Sequence, residues 1–329
     1  MKTFAAVGLS LALLLVPSTR LAAAADSSHS ASSSLAYHWP IKPFNSPHPI
    51  RGAFGDPRIV SNGEPFGWTG PGESAGHSFH NGIDIVALPG TPVYPVVSGW
   101  VAKAKPGEIV VNTYDGRAFQ YYHLNKASAV RLGRRVVAER TVLGWIRDTY
   151  QHVHLAEIDG HVVHNPLAPG HLGPYRDTKR PLAADLYVAD GPVPSPVAGR
   201  SIGPGDVIAV AAADPPSMTL PGEWSGSAQV PALVEWRLFH GNTRTAWKVA
   251  VDFRKTVPPV RDFWQIYGSG TYQNSPTFDH IYHGMAGRYL FRLHIHPDRL
   301  KPGAYQLAVR VADVRGNRST TWFPLQIAR

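Results

Sequence analysis

The side chains best suited to chemistry in this 329-residue chain lie in three short stretches. His80 and Asp84 fall in Phe79-His80-Asn81-Gly82-Ile83-Asp84-Ile85, His123 in Tyr121-Tyr122-His123-Leu124, and His152 and His154 in His152-Val153-His154-Leu155. Imidazole and carboxylate are both good ligands for a borderline divalent ion. Two histidines, one carboxylate and a water make a common open arrangement for catalytic zinc. Residues two apart on a strand point to the same side, so His152 and His154 face one site while Val153 turns into a core. Only one of the pair need hold the ion; its neighbour then stands close enough to handle a proton. Gly82 allows a sharp turn between His80 and Asp84, and Ile83 and Ile85 flank Asp84 on the opposite face. Each piece alone is common in purely structural settings. Their order, each on an expected strand, makes the set specific.

The elements that must position these groups are strands. Glycine and proline number 31 and 30, a density of turn formers that leaves little room for long helices. Ile109 to Tyr114, then Asp115-Gly116, then Ala118 to Leu124 is a strong hairpin signal. The pattern recurs in His152 to Ile158, Asp159-Gly160 and His161 to Val163, and Thr141 to Ile146 reads as a further short strand. Six glycines and prolines between 166 and 182 mark a linker. Beyond it, Val234/Trp236/Leu238, Trp247/Val249/Val251/Phe253, Tyr289/Phe291/Leu293/Ile295, Tyr305/Leu307/Val309/Val311 and Thr321/Phe323/Leu325/Ile327 each alternate with mostly polar partners. Period-2 alternation buries one face per strand, so the second half reads as a β-sandwich. Trp236 and Trp247 fall on its apolar faces. The fold class expected for the whole chain is all-β, with antiparallel sheets.

Lys2, the apolar run Phe4 to Val16 and the small residues up to Ala25 have the anatomy of a secretory signal over residues 1–25. Residues 26–36 read as a flexible leader, 37–169 as the chemistry-bearing domain, 170–180 as a linker and 181–329 as the sandwich. No further segment is apolar enough to span a bilayer, so an exported, soluble protein is expected. The formal charge is +9 and there is no cysteine, which excludes a disulfide framework, thiolate metal sites and a cysteine nucleophile. The basic residues are scattered and carry no nucleic-acid motif; they suggest attraction to a polyanionic surface.

From about Trp39 to Leu167 the sequence resembles the lysostaphin-type (LytM-like) zinc metallopeptidases, which cut peptide cross-links in bacterial cell walls. The resemblance rests on Gly52-Ala53-Phe54-Gly55-Asp56-Pro57-Arg58, the His80–Ile85 motif, Gly90-Thr91-Pro92-Val93, Val97-Ser98-Gly99-Trp100-Val101, Tyr122-His123-Leu124, the H-x-H and Asn165-Pro166-Leu167. It implies one Zn²⁺ per chain held by His80, Asp84 and His154, with His123 and His152 as the catalytic pair. It also implies a secreted, cell-wall-associated endopeptidase acting on peptidoglycan cross-links, with anionic wall polymers as a further partner. A monomer is expected, with no nucleic acid and no membrane span once the signal is removed. The sequence departs from the family pattern in Arg147-Asp148-Thr149-Tyr150-Gln151, where a glycine-rich stretch usually precedes the H-x-H. The second half is similar to bacterial immunoglobulin-like modules only in its alternation and its Gly-Asn turn.

The rival readings are a catalytically silent LytM-like domain that binds the wall or activates a partner hydrolase, a facial-triad iron oxygenase, and a two-module adhesion protein. Loss of a ligand would favour the first, and no ligand is lost. Export, the extra histidines and the wrong first spacing oppose the second. His77, His161 and His164 read as surface histidines, Tyr121 as core and Arg58 as either a substrate contact or an ion pair with Asp56. A chain ending near Pro174 is expected to keep its metal and its chemistry.

Overall fold

In the computed structural model, the residues described are 36–60, 76–125, 130–191, 193–273 and 287–328. The proposed signal and all but the last residue of the leader lie outside them. The chain is built almost entirely of strands, with a single four-residue α-helix, Phe263–Ile266, among the described residues. The expected all-β, antiparallel class is what the sheets show.

The first region is an eight-stranded sheet in the order Ile50–Gly52, Ile83–Val86, His152–Asp159, Arg117–Tyr122, Glu108–Thr113, Gly99–Lys105 and Arg135–Val136, with Val162–His164 added along His152–Asp159. Both Asp-Gly turns close hairpins as expected, joining Glu108–Thr113 to Arg117–Tyr122 and His152–Asp159 to Val162–His164. The strand anticipated over Thr141 to Ile146 shrinks to Gly144–Trp145, paired with Pro92–Val93. Register is what matters for the site: His154 lies opposite Asp84 on one side and Tyr122 on the other. Residues directly opposite share a face, so the pairing alone gathers these three side chains.

The second region has two sheets. One contains Leu182–Val188, Ser195–Pro196, Ile208–Ala213 and Leu290–Arg292; the other is built around Leu233–His240, Gly303–Ala312 and Arg318–Ile327. The alternating residues Val234, Trp236, Leu238, Leu307, Val309 and Val311 are buried between them, as their period required. Two expectations fail at the strand Lys248–Asp252. Val249 is exposed, and Trp247 is only half-buried, with its ring between the guanidiniums of Arg237 and Arg310 at 4.5 and 4.2 Å. Among the described residues this strand pairs on one side only, with Leu233–His240, which leaves Val249 exposed.

Ser34–Arg329 forms one compact unit, and one hydrophobic cluster runs from Trp39 and Ile83 through Phe253 and Tyr267 to Ile327. The ring of Phe79, one residue before His80, packs on Phe253, Phe263 and Tyr267 at 5.6, 5.2 and 5.9 Å. Tyr267 donates its hydroxyl to the Gly55 carbonyl at 2.7 Å, and Gln229 donates its side-chain amide to the Ile50 carbonyl. The self-contained second module expected from sequence is thus packed against the strands that carry the site.

Candidate active site

Three donor atoms converge at one end of the central strands. His80 Nε2 lies 3.1 Å from Asp84 Oδ1 and 2.8 Å from His154 Nδ1, and His154 Nδ1 lies 3.2 Å from Asp84 Oδ1. A tetrahedral ion with bonds of about 2.0–2.1 Å separates its ligands by roughly 3.3 Å. The three observed edges are close to that length. All three residues are buried, and they form a group able to hold a metal ion.

The surroundings prepare these atoms as lone-pair donors. His80 places its Nδ1 2.8 Å from the Ala53 carbonyl; a proton there leaves Nε2 free to bind, the usual arrangement of a ligating histidine. Burial, reinforced by the positive charge of Arg58, pushes His80 down to about 3, so the ring is neutral. Asp84 points Oδ1 at the cluster, while Oδ2 takes Arg51 Nη2 at 2.7 Å and Arg58 Nη2 at 2.9 Å. Burial alone would raise this carboxyl; His80, the Arg51 guanidinium and His152, packed around it, hold it well below the usual carboxylate range. An anionic oxygen and a neutral imidazole nitrogen facing each other at 3.1 Å both offer electron pairs. Such a set repels itself unless a positive charge sits at its centre, so the donor chemistry fits a cation.

Glycine at position 82 is required for room rather than for a turn. A Cβ there would stand 2.7 Å from His154 Nε2 and would collide with the Leu155 carbonyl. Glycine at 52 serves likewise, since a Cβ would stand 2.6 Å from Asp84 Oδ2.

His152 and His123 stand beside this cluster. His152 Nδ1 hydrogen-bonds to the Tyr150 carbonyl, which turns Nε2 toward Asp84 Oδ1 at 3.8 Å and Arg51 Nη2 at 3.4 Å. Burial first, then the charge of Arg51, holds the His152 ring far below its ordinary value, hence neutral. His123 meets His152 edge to face at 4.5 Å and stacks on Tyr150 at 4.1 Å; burial lowers it to about 4. Its backbone is left-handed, with φ of 66°. On a regular strand His123 would point away from its neighbour Tyr122, yet the Tyr122 ring meets His154 at 5.2 Å. The left-handed residue returns His123 to the same side. Strain of this kind costs on the order of 1–3 kcal/mol and collects at functional sites.

Several residues reach the site without any sequence signal. Arg51 bridges Asp84 and His152, and its guanidinium lies over the indole of Trp224 at 4.3 Å. Trp224 comes from the second region, is buried with Val86 and Leu220, and presents its ring edge-on to His152 at 6.5 Å. Tyr150, which stacks on His123, sits in the segment that departs from the family pattern. Arg58 turns out to pair with Asp84 and, at 3.7 Å, with Asp56, and Tyr121 is fully buried, its hydroxyl accepting the Val96 N–H. His77, expected at the surface, packs its ring against Phe263 and Trp264 at 4.9 and 5.6 Å. His161 is exposed, whereas His164 is half-buried and stacked on His171.

This all-β scaffold buries two histidines and a carboxylate around one point, a group that could hold a metal ion, with two more histidines alongside. Residues 78–166 match the sequence model of peptidase family M23, so this part of the chain is similar to the LytM-like peptidases. The segment includes all five residues named above. Among solved structures, the chain is similar to the SpoIIQ–SpoIIIAH pore-forming complex, at 20% identity over 41% of this chain and 90% of the other, with a TM-score of 0.30. It is also similar to the catalytic domain of lysostaphin from Staphylococcus simulans, at 24% identity over 32% of this chain and 84% of the other, TM-score 0.25. A third is the catalytic domain of a variant of the prophage-encoded M23 protein EnpA from Enterococcus faecalis, at 26% identity over 34% and 98%, TM-score 0.24. No curated protein matches the chain.

Proposed function

We propose that this chain is an exported zinc endopeptidase that hydrolyses peptide bonds in bacterial peptidoglycan. The observation that carries the reading is the trio His80 Nε2, Asp84 Oδ1 and His154 Nδ1, spaced 2.8 to 3.2 Å apart with two neutral histidines beside it. Zinc, when bound, supplies a water acidified to near neutrality and a Lewis acid for the scissile carbonyl. His152 Nε2, free of a proton because Nδ1 serves the Tyr150 carbonyl, takes the proton of the attacking water and passes it to the leaving amine. His123 donates a hydrogen bond to the oxygen that gains charge, or shares the proton work. Arg51 holds the second oxygen of Asp84 and faces His152, which keeps the carboxylate and the His152 ring aligned and His152 uncharged.

The second region is assigned as an immunoglobulin-like module that positions the enzyme on the wall, and the net charge of +9 favours anionic wall polymers as a further partner. The signal at 1–25, the boundaries at 26–36, 37–169, 170–180 and 181–329, and a monomeric state belong to the same reading. The alternative, a silent domain that binds the wall or activates a partner hydrolase, would be favoured by a missing ligand, and none is missing.

The test combines metal analysis of the mature protein with mass spectrometry of purified wall fragments after incubation. One zinc per chain and new amino termini within the cross-link peptides are expected. Stoichiometric zinc without any cleavage would favour the silent alternative; no zinc from metal-replete preparations would sink the reading altogether.

A further inference from the structure

A second cluster of ligand-type side chains lies in the other half of the protein, away from the histidines. Asp177 precedes the strand Leu182–Val188, Asp214 follows Ile208–Ala213, and Asp313 sits in the turn between Gly303–Ala312 and Arg318–Ile327. One carboxylate oxygen of each lies within 4.8 Å of the other two. Two of the three are held in place by their own turns. Asp313 Oδ1 accepts the N–H groups of Arg315 and Asn317, and its Oδ2 the Asn317 amide at 2.6 Å. Asp177 accepts the Lys179 N–H and, at 3.1 Å, the Tyr175 hydroxyl. The Asn317 amide also reaches the Asp177 carbonyl at 2.9 Å, locking the two segments together.

Asp214 is different. It is only 6% exposed, and its buried Oδ1 accepts no hydrogen bond. A buried carboxylate without a partner is among the costliest arrangements a protein can hold. Two cations face the group, Lys179 and Arg315. Arg315 lies over the Tyr175 ring at 5.1 Å, and among the described residues neither comes within ion-pair distance of the three carboxylates. Without a ligand, burial and the charges of Asp177 and Asp313 push Asp214 up to about 9, so it keeps its proton. Burying Asp214 with an unpartnered oxygen therefore carries a cost that a ligand would offset.

We propose that Asp177, Asp214 and Asp313 bind a hard divalent cation, Ca²⁺ by its chemistry, at the junction where the chain passes from the first region into the second. The donors are all oxygens, which suits a hard ion rather than zinc. Bonds of about 2.3–2.6 Å allow oxygens on opposite sides of Ca²⁺ to lie up to roughly 5 Å apart, and the observed spacing falls inside that span. The ion replaces the proton on Asp214 and ties three separate segments to one point.

The test uses the zinc-loaded full chain. Tyr175 donates to Asp177, so Tb³⁺ bound here should luminesce on tyrosine excitation, and Ca²⁺ should displace it. Ca²⁺ at about a hundredfold its Kd should raise Tm by roughly 5 °C or more, with EGTA reversing the shift. Asp214→Asn should abolish both responses. Asp313→Asn should do the same, but it also breaks a turn, so Asp214→Asn is the deciding variant. His154→Ala should keep both, separating this site from the histidine cluster. The proposal is overturned if millimolar Ca²⁺ leaves Tm unchanged. It is equally overturned if the Asp214→Asn chain still responds to Ca²⁺ or Tb³⁺.

Discussion

The strands His152–Asp159 and Gly303–Ala312 each run through the middle of a sheet, and they bury different things. The first buries six consecutive residues, among them His152, His154 and Glu157. In the second every fully buried residue is apolar, and its Arg310 stays half-buried, with Nε 2.8 Å from Glu235. Burying a polar group is tolerable only when every atom finds a partner. On His152–Asp159 most partners are supplied: Glu157 takes Tyr37, Arg117 and His171, His152 takes Tyr150 and Arg51, and His154 Nδ1 meets His80 and Asp84 while its Nε2 stays without a hydrogen bond. Strands that only build a core have no need of this. Buried polar groups thus mark where the molecule does something. In the second region Gln229 and Gln273 fall at the contact with the first and Asp214 and Asp313 in the aspartate cluster, while Thr271 bonds Leu290 within the region.

This contrast can be broken at several points. The largest effect is expected from His154→Ala, which removes a ligand lying opposite both Asp84 and Tyr122. Zinc should be lost along with all measurable hydrolysis, and elemental analysis with a peptide-cleavage assay reads both. A variant that keeps one zinc would dissolve the proposed site.

Next comes separation of the two regions. A chain ending near Pro174 leaves Phe79 without Phe253, Phe263 and Tyr267, and Asp56 without the Val230 N–H at 3.1 Å. Each uncovered aromatic forfeits about 2–3 kcal/mol, comparable with a large part of total stability. The truncated chain should therefore unfold or aggregate, as circular dichroism and gel filtration would show. Full zinc binding and normal peptide hydrolysis by that fragment would mean the regions are independent after all.

Smaller, but specific to chemistry, are His152→Ala and His123→Ala. Both should retain zinc and lose activity by about 10²- to 10⁴-fold. Near-normal turnover in either variant removes that residue from the mechanism.

Trp224→Ala tests the reach of the second region into the site. Stacking of a guanidinium on an indole contributes about 0.5–2 kcal/mol, so kcat/KM should fall by about two- to thirtyfold with zinc retained. Trp224→Phe should restore most of it. An unchanged rate in the alanine variant would confine the second region to scaffolding.

The smallest effect is on acid stability. Burial alone would raise the Glu157 carboxyl, but hydrogen bonds from His171, Arg117 and Tyr37 outweigh it and lower its pKa. A group depressed in the folded state contributes stability above its unfolded pKa and loses it as pH falls through the folded one. Wild type should therefore lose stability below about pH 4.3, near the unfolded pKa. Glu157→Gln should be weaker near neutrality by about 1–3 kcal/mol and flatter on the acid side, measured by urea unfolding against pH.

Much of the site was legible because it depends on local periodicity. His152 and His154 had to share a face, the Asp-Gly pairs had to turn, and Asp84 between Ile83 and Ile85 had to project opposite to them. His123 was legible as a candidate but not as a geometry, since alternation would place it opposite Tyr122 and only a left-handed backbone reverses that. Trp247 and Val249 misled because alternation reports which face is apolar, not whether a neighbouring strand or sheet exists to cover it.

The sequence by itself determined the kinds of donor, their strand-borne faces and the all-β class, because these follow from side-chain chemistry and a period of two residues. The tertiary structure alone decided which atoms meet: Arg51 and Arg58 on the far oxygen of Asp84, Trp224 over Arg51, Gln229 on Ile50, and three aspartates around one point. Those contacts join positions far apart in the chain, up to 179 residues for Gln229 and Ile50. Long-range partners are chosen by the packing of the whole core, and no local pattern encodes them.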